Sequence, residues 1–471
     1  MAEDHPATAP LGTATAMLPF RNPDGAISDA FLAAVSSAVE ADDRAAASGL
    51  LGRLHEADVG ELLAGLAPED RTRLVILLGD GFDFTALTET DEAVRLQILR
   101  GLPPETVAAG LARLESDDAV YIVEDLDDEE KAGILALLPV PERTAVQRGL
   151  DYPDESAGRR MQTEFVAVPP FWTIGQTIDY LRGEADLPEQ FYEVYVIDPR
   201  FRLIGSVGLD RLLRTPRTTR ISAIMHEARH QIRADEDQEE AARRFERYNL
   251  ISAAVVDDSD RLVGVLTIDD VVDVIQAEAE EDIRALAGVG DEEISDSIFY
   301  AWRARSIWLL FNLGTAALAS VVIAFFDGTI EEMVALAVLM PIVASLGGNA
   351  ASQTMTVTVR AIATRDLRAR NAFRIIVREV AVGAINGVVF ALLIGAASAA
   401  WFGNPALGVV IGAAMVINMI SAGLGGILIP LGLNKLGADP AVASSVFVTM
   451  VTDVVGFFAF LGLATWWFGI G

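Results

Sequence analysis

Apolar residues follow two patterns along this chain. After Ser306 they form five long runs joined by short links: Ser306–Phe326, Met333–Val359, Val380–Trp401, Leu407–Leu433 and Ala441–Phe468. A bilayer core takes about 20 apolar residues as helix, so each run predicts a transmembrane helix. Before Ser306 the pattern is shorter. Over 28–150, Leu-rich segments alternate with starts such as Ala67-Pro68-Glu69-Asp70, Pro103-Pro104-Glu105 and Pro139-Val140-Pro141-Glu142. Proline at the first helical position and acids in the first turn open helices well. An all-α N-terminal helical repeat domain is therefore expected there, behind a disordered N-terminus over 1–27.

Residues 151–277 carry an internal repeat at an offset of 59. Val196-Ile197-Asp198 maps onto Val255-Val256-Asp257, and Arg202-Leu203-Ile204-Gly205 onto Arg261-Leu262-Val263-Gly264. Each copy reads as strand, polar turn, strand and helix, with an amphipathic helix ahead of it (Ile174–Leu181 and Glu239–Tyr248). A paired unit of this kind buries one shared core. The second copy, Gly264-Val265-Leu266-Thr267-Ile268-Asp269-Asp270, fits G-x-x-T-x-x-D; the first, Gly205 to Arg211, departs at both polar positions. The pair resembles α+β tandem cystathionine-β-synthase (CBS) domains. That resemblance permits ATP as a regulator, with Thr267 and Asp270 as nucleotide-binding candidates.

Charge divides along the same line. The stretch from Ser306 to Gly471 has seven basic and seven acidic residues, so the whole net charge of −31 precedes it. A nucleic-acid partner is excluded, because phosphate binding needs a basic face. With no cysteine there are no disulfides or thiolate metal sites. Met1 to Pro19 has neither a basic n-region nor an apolar h-region, so no signal peptide is read and the soluble region is expected in the cytoplasm. The link 360–379 holds six arginines, and Arg303 and Arg305 flank the first run. Positive residues stay inside, which puts the N-terminus in the cytoplasm and the C-terminus outside a plasma (inner) membrane. The expected boundaries are 278–304 for a connecting helix and 305–471 for an all-α membrane domain of five transmembrane helices.

Asp453 lies inside the fifth run, and no basic residue lies in any run to pair with it. A carboxylate there costs about 2.5–3.5 kcal/mol on insertion scales. It is either a hydrogen-bonded structural residue or a cation-attracting group on a wet cavity. Asn349, Ser352, Gln353, Thr354, Thr356 and Thr358 supply neutral oxygens in the second run. Pro341, Gly347 and Gly348, and Gly423, Gly425, Gly426 and Pro430, interrupt the second and fourth runs either as irregular backbone on a cavity or as a simple kink or close helix packing. Gly383-x-x-x-Gly387 and Gly408-x-x-x-Gly412 read as helix contacts. Glu278, Glu281 and Asp282 share one helix face, where like charges repel. Such acids are a solvated face or a site that a hard divalent cation relieves.

The order of parts, Pro341 to Arg365 (PIVASLGGNAASQTMTVTVRAIATR), Asp439-Pro440-Ala441 and Thr452-Asp453-Val454-Val455-Gly456 together resemble the MgtE-type magnesium channel and transporter family. The resemblance implies a homodimer with an ion path lined by the second and fifth spans. Asp453 then holds hydrated Mg²⁺, and Gly348, Asn349, Gln353, Thr449 and Thr452 are pore-lining candidates. It implies Mg²⁺-sensing roles for Asp117, Asp237, Glu239, Asp270, Asp273, Glu278, Glu281 and Asp282, with 278–304 as a plug. Departures fall at Ala351-Ser352, Tyr121 and Asn249. The implied activity is passive Mg²⁺ influx gated by cytoplasmic Mg²⁺. The alternatives are an exchanger or exporter of Mg²⁺ or Co²⁺, and a CBS-type membrane sensor that transports nothing. No nucleophile–base pair or phosphate loop points to an enzyme.

Overall fold

The computed structural model describes residues 19–289 and 298–470, except 185–186, 189, 229, 366 and 368–369. Residues 1–18 of the expected disordered segment, 290–297 of the expected connecting helix, and Asp366 and Arg368 of the basic link lie outside the described residues. The chain divides into two units, Met1–Gln276 and Ala277–Gly471.

The first unit begins with nine helices: α1 Asp29–Glu40, α2 Arg44–Leu51, α3 Glu56–Gly65, α4 Pro68–Leu78, α5 Glu92–Gly101, α6 Pro104–Leu111, α7 Ser116–Val123, α8 Asp128–Leu137 and α9 Val140–Leu150. Pro68 and Pro104 stand at first helical positions, as the sequence pattern predicts. A capping box at Asp127 and Glu130 opens α8. The core of this layer includes Val35, Leu62, Leu74, Leu87, Ile98 and Ile122, all fully buried. Each such side chain contributes roughly 1.5–3 kcal/mol by leaving water.

The repeat folds as two three-stranded sheets, β1 (Ala167–Val168), β2 (Glu193–Ile197), β3 (Leu203–Gly208), and β4 (Ile232–Arg233), β5 (Ser252–Val256), β6 (Leu262–Thr267). Each has a parallel pair followed by an antiparallel pair. The offset of 59 holds residue for residue: Val196 faces Gly205 as Val255 faces Gly264, and the register slips after each of these valines. Asp198 and Asp257 close the two turns alike, each accepting two backbone N–H groups. Helices α10 (Ile174–Gly183), α11 (Leu209–Arg214) and α12 (Gln238–Tyr248) cover the sheets, and α13 (Ile268–Ala287) leaves the last strand.

The helix expected over 278–304 is therefore different. It starts inside the second repeat at Ile268 and stops at Ala287. Gly288, with φ 69°, ends it: Gly288 N–H donates to Ala285 O and Val289 N–H to Arg284 O. A left-handed glycine after the last turn ends helices in this way.

The second unit contains α14 (Ile298–Ala324), the short α15 (Asp327–Glu332), α16 (Ala335–Ala363), α17 (Ala372–Phe402), α18 (Pro405–Lys435) and α19 (Pro440–Phe468). All but α15 are long and apolar enough to cross a membrane. Helix α18 is central and packs on α16, α17 and α19. Irregular backbone does not occur there, since α16 runs through Pro341 and α18 through Pro430. Close helix packing, the other expected reading, is what the glycines serve. A Cβ on Gly423 would come within 2.9 Å of the Glu379 carbonyl, and one on Gly426 within 2.8 Å of Thr354. Neighbouring helices re-satisfy a membrane helix around proline, so continuity costs little. Gly383 and Gly387 of α17 face Met419 and Val416 of α18, and Gly408 faces Gly395, the small-residue contact expected from their spacing.

Candidate ion path and cation-sensing interface

In α19, Asp453 is half-buried near mid-helix, about 20 Å from the first residue at 1.5 Å per residue. Among the described residues no basic side chain pairs with it. Thr449, one turn earlier, is exposed and donates to Ser445 O at 2.9 Å. On α16, Asn349, Gln353 and Thr356 are exposed and Gly348 and Ser352 half-buried. Their spacing of three and four residues gives one polar stripe along an apolar helix. Helix α16 packs on α19, so the two helices that carry uncovered polar faces are neighbours. Thr452 departs from its expected place. It is fully buried, and its hydroxyl donates to Thr449 O at 2.9 Å within its own helix.

Two buried polar residues escaped the sequence reading. Glu379, assigned there to a link, lies inside α17, buried, with its Oε2 accepting from Thr354 Oγ1 at 3.5 Å. Asn418 lies in the middle of α18, fully buried, and donates through Nδ2 to Val343 O at 2.9 Å. Both break an otherwise apolar helical stretch, which is the signal that could have marked them.

In the first unit, Asp117, Asp270 and Asp273 come together at the N-terminal ends of α7 and α13. Their sequence neighbours Asp118 and Asp269 join them, and so does Glu89, which the sequence reading did not mark. Burial pushes the Asp117 carboxyl well up, and the charges of Asp270 and Asp118 push it further. Asp270 rises through burial and through Asp269, against a 2.5 Å hydrogen bond from Thr267 Oγ1 that lowers it. Asp118 rises to about 6, by burial first and then by Asp269 and Glu89. Asp273 and Glu89 are raised by burial, then by Asp269 and Asp273 respectively. Among the described residues no three acids or histidines are grouped closely enough to hold a metal ion between them. Mg²⁺ usually keeps several waters and binds through one or two carboxylates.

The other predicted sensing residues are placed elsewhere. Asp237 caps α12, accepting from Glu239 N–H at 2.9 Å, and Glu239 pairs with Arg243. Glu278, Glu281 and Asp282 lie on α13, at least about 12 Å along the helix from Asp270. Asn249 takes the left-handed conformation at the end of α12 (φ 51°), where asparagine is tolerated.

Tyr121 has its own physical role. The Arg95 and Arg160 guanidinium carbons lie 4.5 and 5.4 Å from its ring centre. Arg95 pairs with Asp125 at 2.5 Å, and Arg160 with Glu124 at 2.7 Å and with Gln238 at 3.1 Å. Ser116 Oγ donates to Glu164 at 2.8 Å beside them. Arg160 thus holds the CBS pair to the helical domain at one part of their interface, while Arg95 backs the same ring from within the helical domain, and the two meet through like charges at another part.

A sign follows for pH. Carboxylates whose pKa values rise on docking add stability below their ordinary values near 3.8 and lose it as pH climbs through about 6. In chelator, the hydrogen-exchange protection factor of α7, taken relative to the intrinsic rate at each pH, is expected to fall from pH 5 to pH 8, and Mg²⁺ at pH 8 to restore it. A protection factor independent of both would remove the cluster from the sensing account. Arg160→Ala is expected to weaken docking by about 1.5–3 kcal/mol, read as lost protection of α7 in chelator at pH 7. Unchanged protection would show that Arg160 does not hold the domains together.

A shallow cleft of about 20 Å³, open to solvent, lies between the two CBS copies, lined by Phe165, Tyr192, Glu193 and Tyr195 of the first and by Ser252, Val265 and Thr267 of the second.

Comparisons with known proteins agree with this layout. Residues 340–463 match the MgtE divalent cation transporter family, 54–155 the MgtE intracellular N domain and 221–277 a CBS domain. The CBS match falls on the copy with the intact motif. The magnesium transporter MgtE of Thermus thermophilus is 32% identical over 425 residues, 86% of this chain and 94% of that protein. That of Enterococcus faecalis is 35% identical over 316 residues, 67% of this chain and 70% of its own. A crystal structure of the cytosolic domain of the Mg²⁺ channel MgtE in complex with ATP is 29% identical and covers 52% of this chain and 99% of its own, at a TM-score of 0.47. With a relative aligned across nearly its whole length, through both the acidic domains and the five apolar helices, the chain belongs to the MgtE family of magnesium transporters.

Proposed function

We propose that this protein is a Mg²⁺ channel of the plasma (inner) membrane. Two copies form a homodimer, and Mg²⁺ moves inward along the membrane potential between their α16 and α19 helices. The observation that carries this reading is the unpaired Asp453 carboxylate on an uncovered polar face, beside a second helix with the stripe Asn349, Gln353 and Thr356. Lipid cannot solvate such faces, so water or another copy must cover them. One carboxylate per chain, doubled by a twofold axis, suits an ion held through its water shell and repels anions. The N-terminus and the acidic domains lie in the cytoplasm, the side that the arginines of 360–379 also take.

Cytoplasmic Mg²⁺ closes the channel. It binds the Asp117–Asp270 cluster and the Glu278, Glu281 and Asp282 face, and α13 carries the change toward the membrane helices. ATP in the CBS cleft, beside Thr267 and Asp270, modulates this response. Mg²⁺ uptake into proteoliposomes tests the reading. Potential-driven uptake with no sodium or proton gradient is expected, whereas uptake only with such a gradient would make the protein an exchanger. Thr267→Ala is expected to weaken ATP binding at least about tenfold by calorimetry, and unchanged binding would place the nucleotide elsewhere.

A further inference from the structure

We propose that Asn418 is a positioning residue for ion conduction: its side-chain amide sets the spacing and rotation of α16 against α19. The inference rests on the reading that these two helices line the ion path.

The amide is fully buried where three helices meet. Its Nδ2 donates to the Val343 carbonyl of α16 at 2.9 Å. Gly347, one turn further along α16, lies against the same amide, and a Cβ there would collide with Nδ2. On the other side stands Gly456 of α19, where a Cβ would come within 2.8 Å of Nδ2 and 3.0 Å of Cγ. One amide is therefore bracketed by two glycines on two different helices. Both have the room it needs because neither has a side chain.

Each glycine adjoins the candidate path. Gly347 precedes Gly348 and Asn349, and Gly456 follows Asp453 by three residues, just under one turn. A shift of the amide would turn or part the helix faces that carry those groups. Asn418 Oδ1 accepts no hydrogen bond from the protein. A buried amide with an unmet acceptor is a poor choice for stability alone, since an apolar residue of the same shape would avoid the cost. Thr358 and Thr452, by contrast, bond only the backbone of their own helices, and the buried Thr354 hydroxyl ties α16 to α17 through Glu379, not to α19.

The test compares Asn418→Leu, Gly347→Ala, the double variant Gly347→Ala/Asn418→Ala, and Asp453→Asn in liposomes, reading Mg²⁺ flux, the Mg²⁺-to-Mn²⁺ flux ratio and the thermal unfolding temperature. Asn418→Leu is expected to fold, lose Mg²⁺ flux at least about tenfold and change the ion ratio at least about threefold. Gly347→Ala is expected to lose flux and the double variant to regain part of it, because alanine at 418 clears the space. That recovery decides the matter if Asn418→Leu does not fold. Wild-type flux and ion ratio in Asn418→Leu would overturn the inference, as would a double variant no better than Gly347→Ala. Full flux in Asp453→Asn would instead overturn the reading of the path itself, so the two failures are distinguishable.

Discussion

Asp453→Asn is expected to reduce Mg²⁺ flux at least about 100-fold while leaving the fold intact. At an effective dielectric of about 20, a dication roughly 5 Å from one carboxylate is held by about 6–7 kcal/mol. Each 1.4 kcal/mol is tenfold in occupancy. Asparagine keeps the shape and the water-binding oxygen and removes only the charge, so the loss reports electrostatics and not packing. The half-buried position of Asp453, with no basic side chain paired to it among the described residues, allows that substitution without orphaning a cation. Flux measured in proteoliposomes, with unfolding temperature as the control, checks it. Full flux in a folded variant would return Asp453 to a structural role.

The second large effect concerns regulation. Replacing Glu278, Glu281 and Asp282 together with glutamine and asparagine is expected to leave flux high at cytoplasmic Mg²⁺ concentrations that close the wild-type channel. A ligand shifts a conformational equilibrium only through its different affinity for the two states. Moving it from 99:1 to 1:99 takes about 5.5 kcal/mol. Two groups of carboxylates share that in the proposed mechanism: this face and the Asp117–Asp270 cluster. Loss of one leaves roughly half, which brings the states near equality, so about half of the open population should persist at saturating Mg²⁺. Flux recorded against Mg²⁺ on the side of the soluble domains reads this directly. Closure at the wild-type concentration would make these acids a solvated face.

The layout of the chain was legible because its signals are local. Apolar length marks the five helices, and the offset of 59 marks a repeat whose two sheets share even their register slip. What escaped depends on contact between distant residues. Pro341 and Pro430 read as breaks, but neighbouring helices pack around them and the helices continue. The extent of α13 was misread because its start belongs to the CBS motif and its end to Gly288. Asp117, Asp270 and Asp273 were read as sensing residues and Asp118 and Asp269 stood beside them in the same acid runs, whereas Glu89, just before α5, joins the cluster only through the fold. At Tyr121 the sequence shows a missing acid. The structure shows what stands there instead, an aromatic ring between Arg95 and Arg160. Asn418 and Glu379 were single polar letters in apolar runs, and their weight appears only once their burial is known.

The central claim is that Mg²⁺ crosses passively and that the acidic domains shut the path when Mg²⁺ binds them. One measurement addresses both halves: Mg²⁺ flux through the reconstituted wild-type protein under an imposed membrane potential, with no sodium or proton gradient, as Mg²⁺ on the side of the soluble domains is raised. Flux that follows the potential and falls steeply as that Mg²⁺ rises is the predicted result. Flux that requires a counter-ion gradient, or that ignores Mg²⁺ at the soluble domains, would contradict the account.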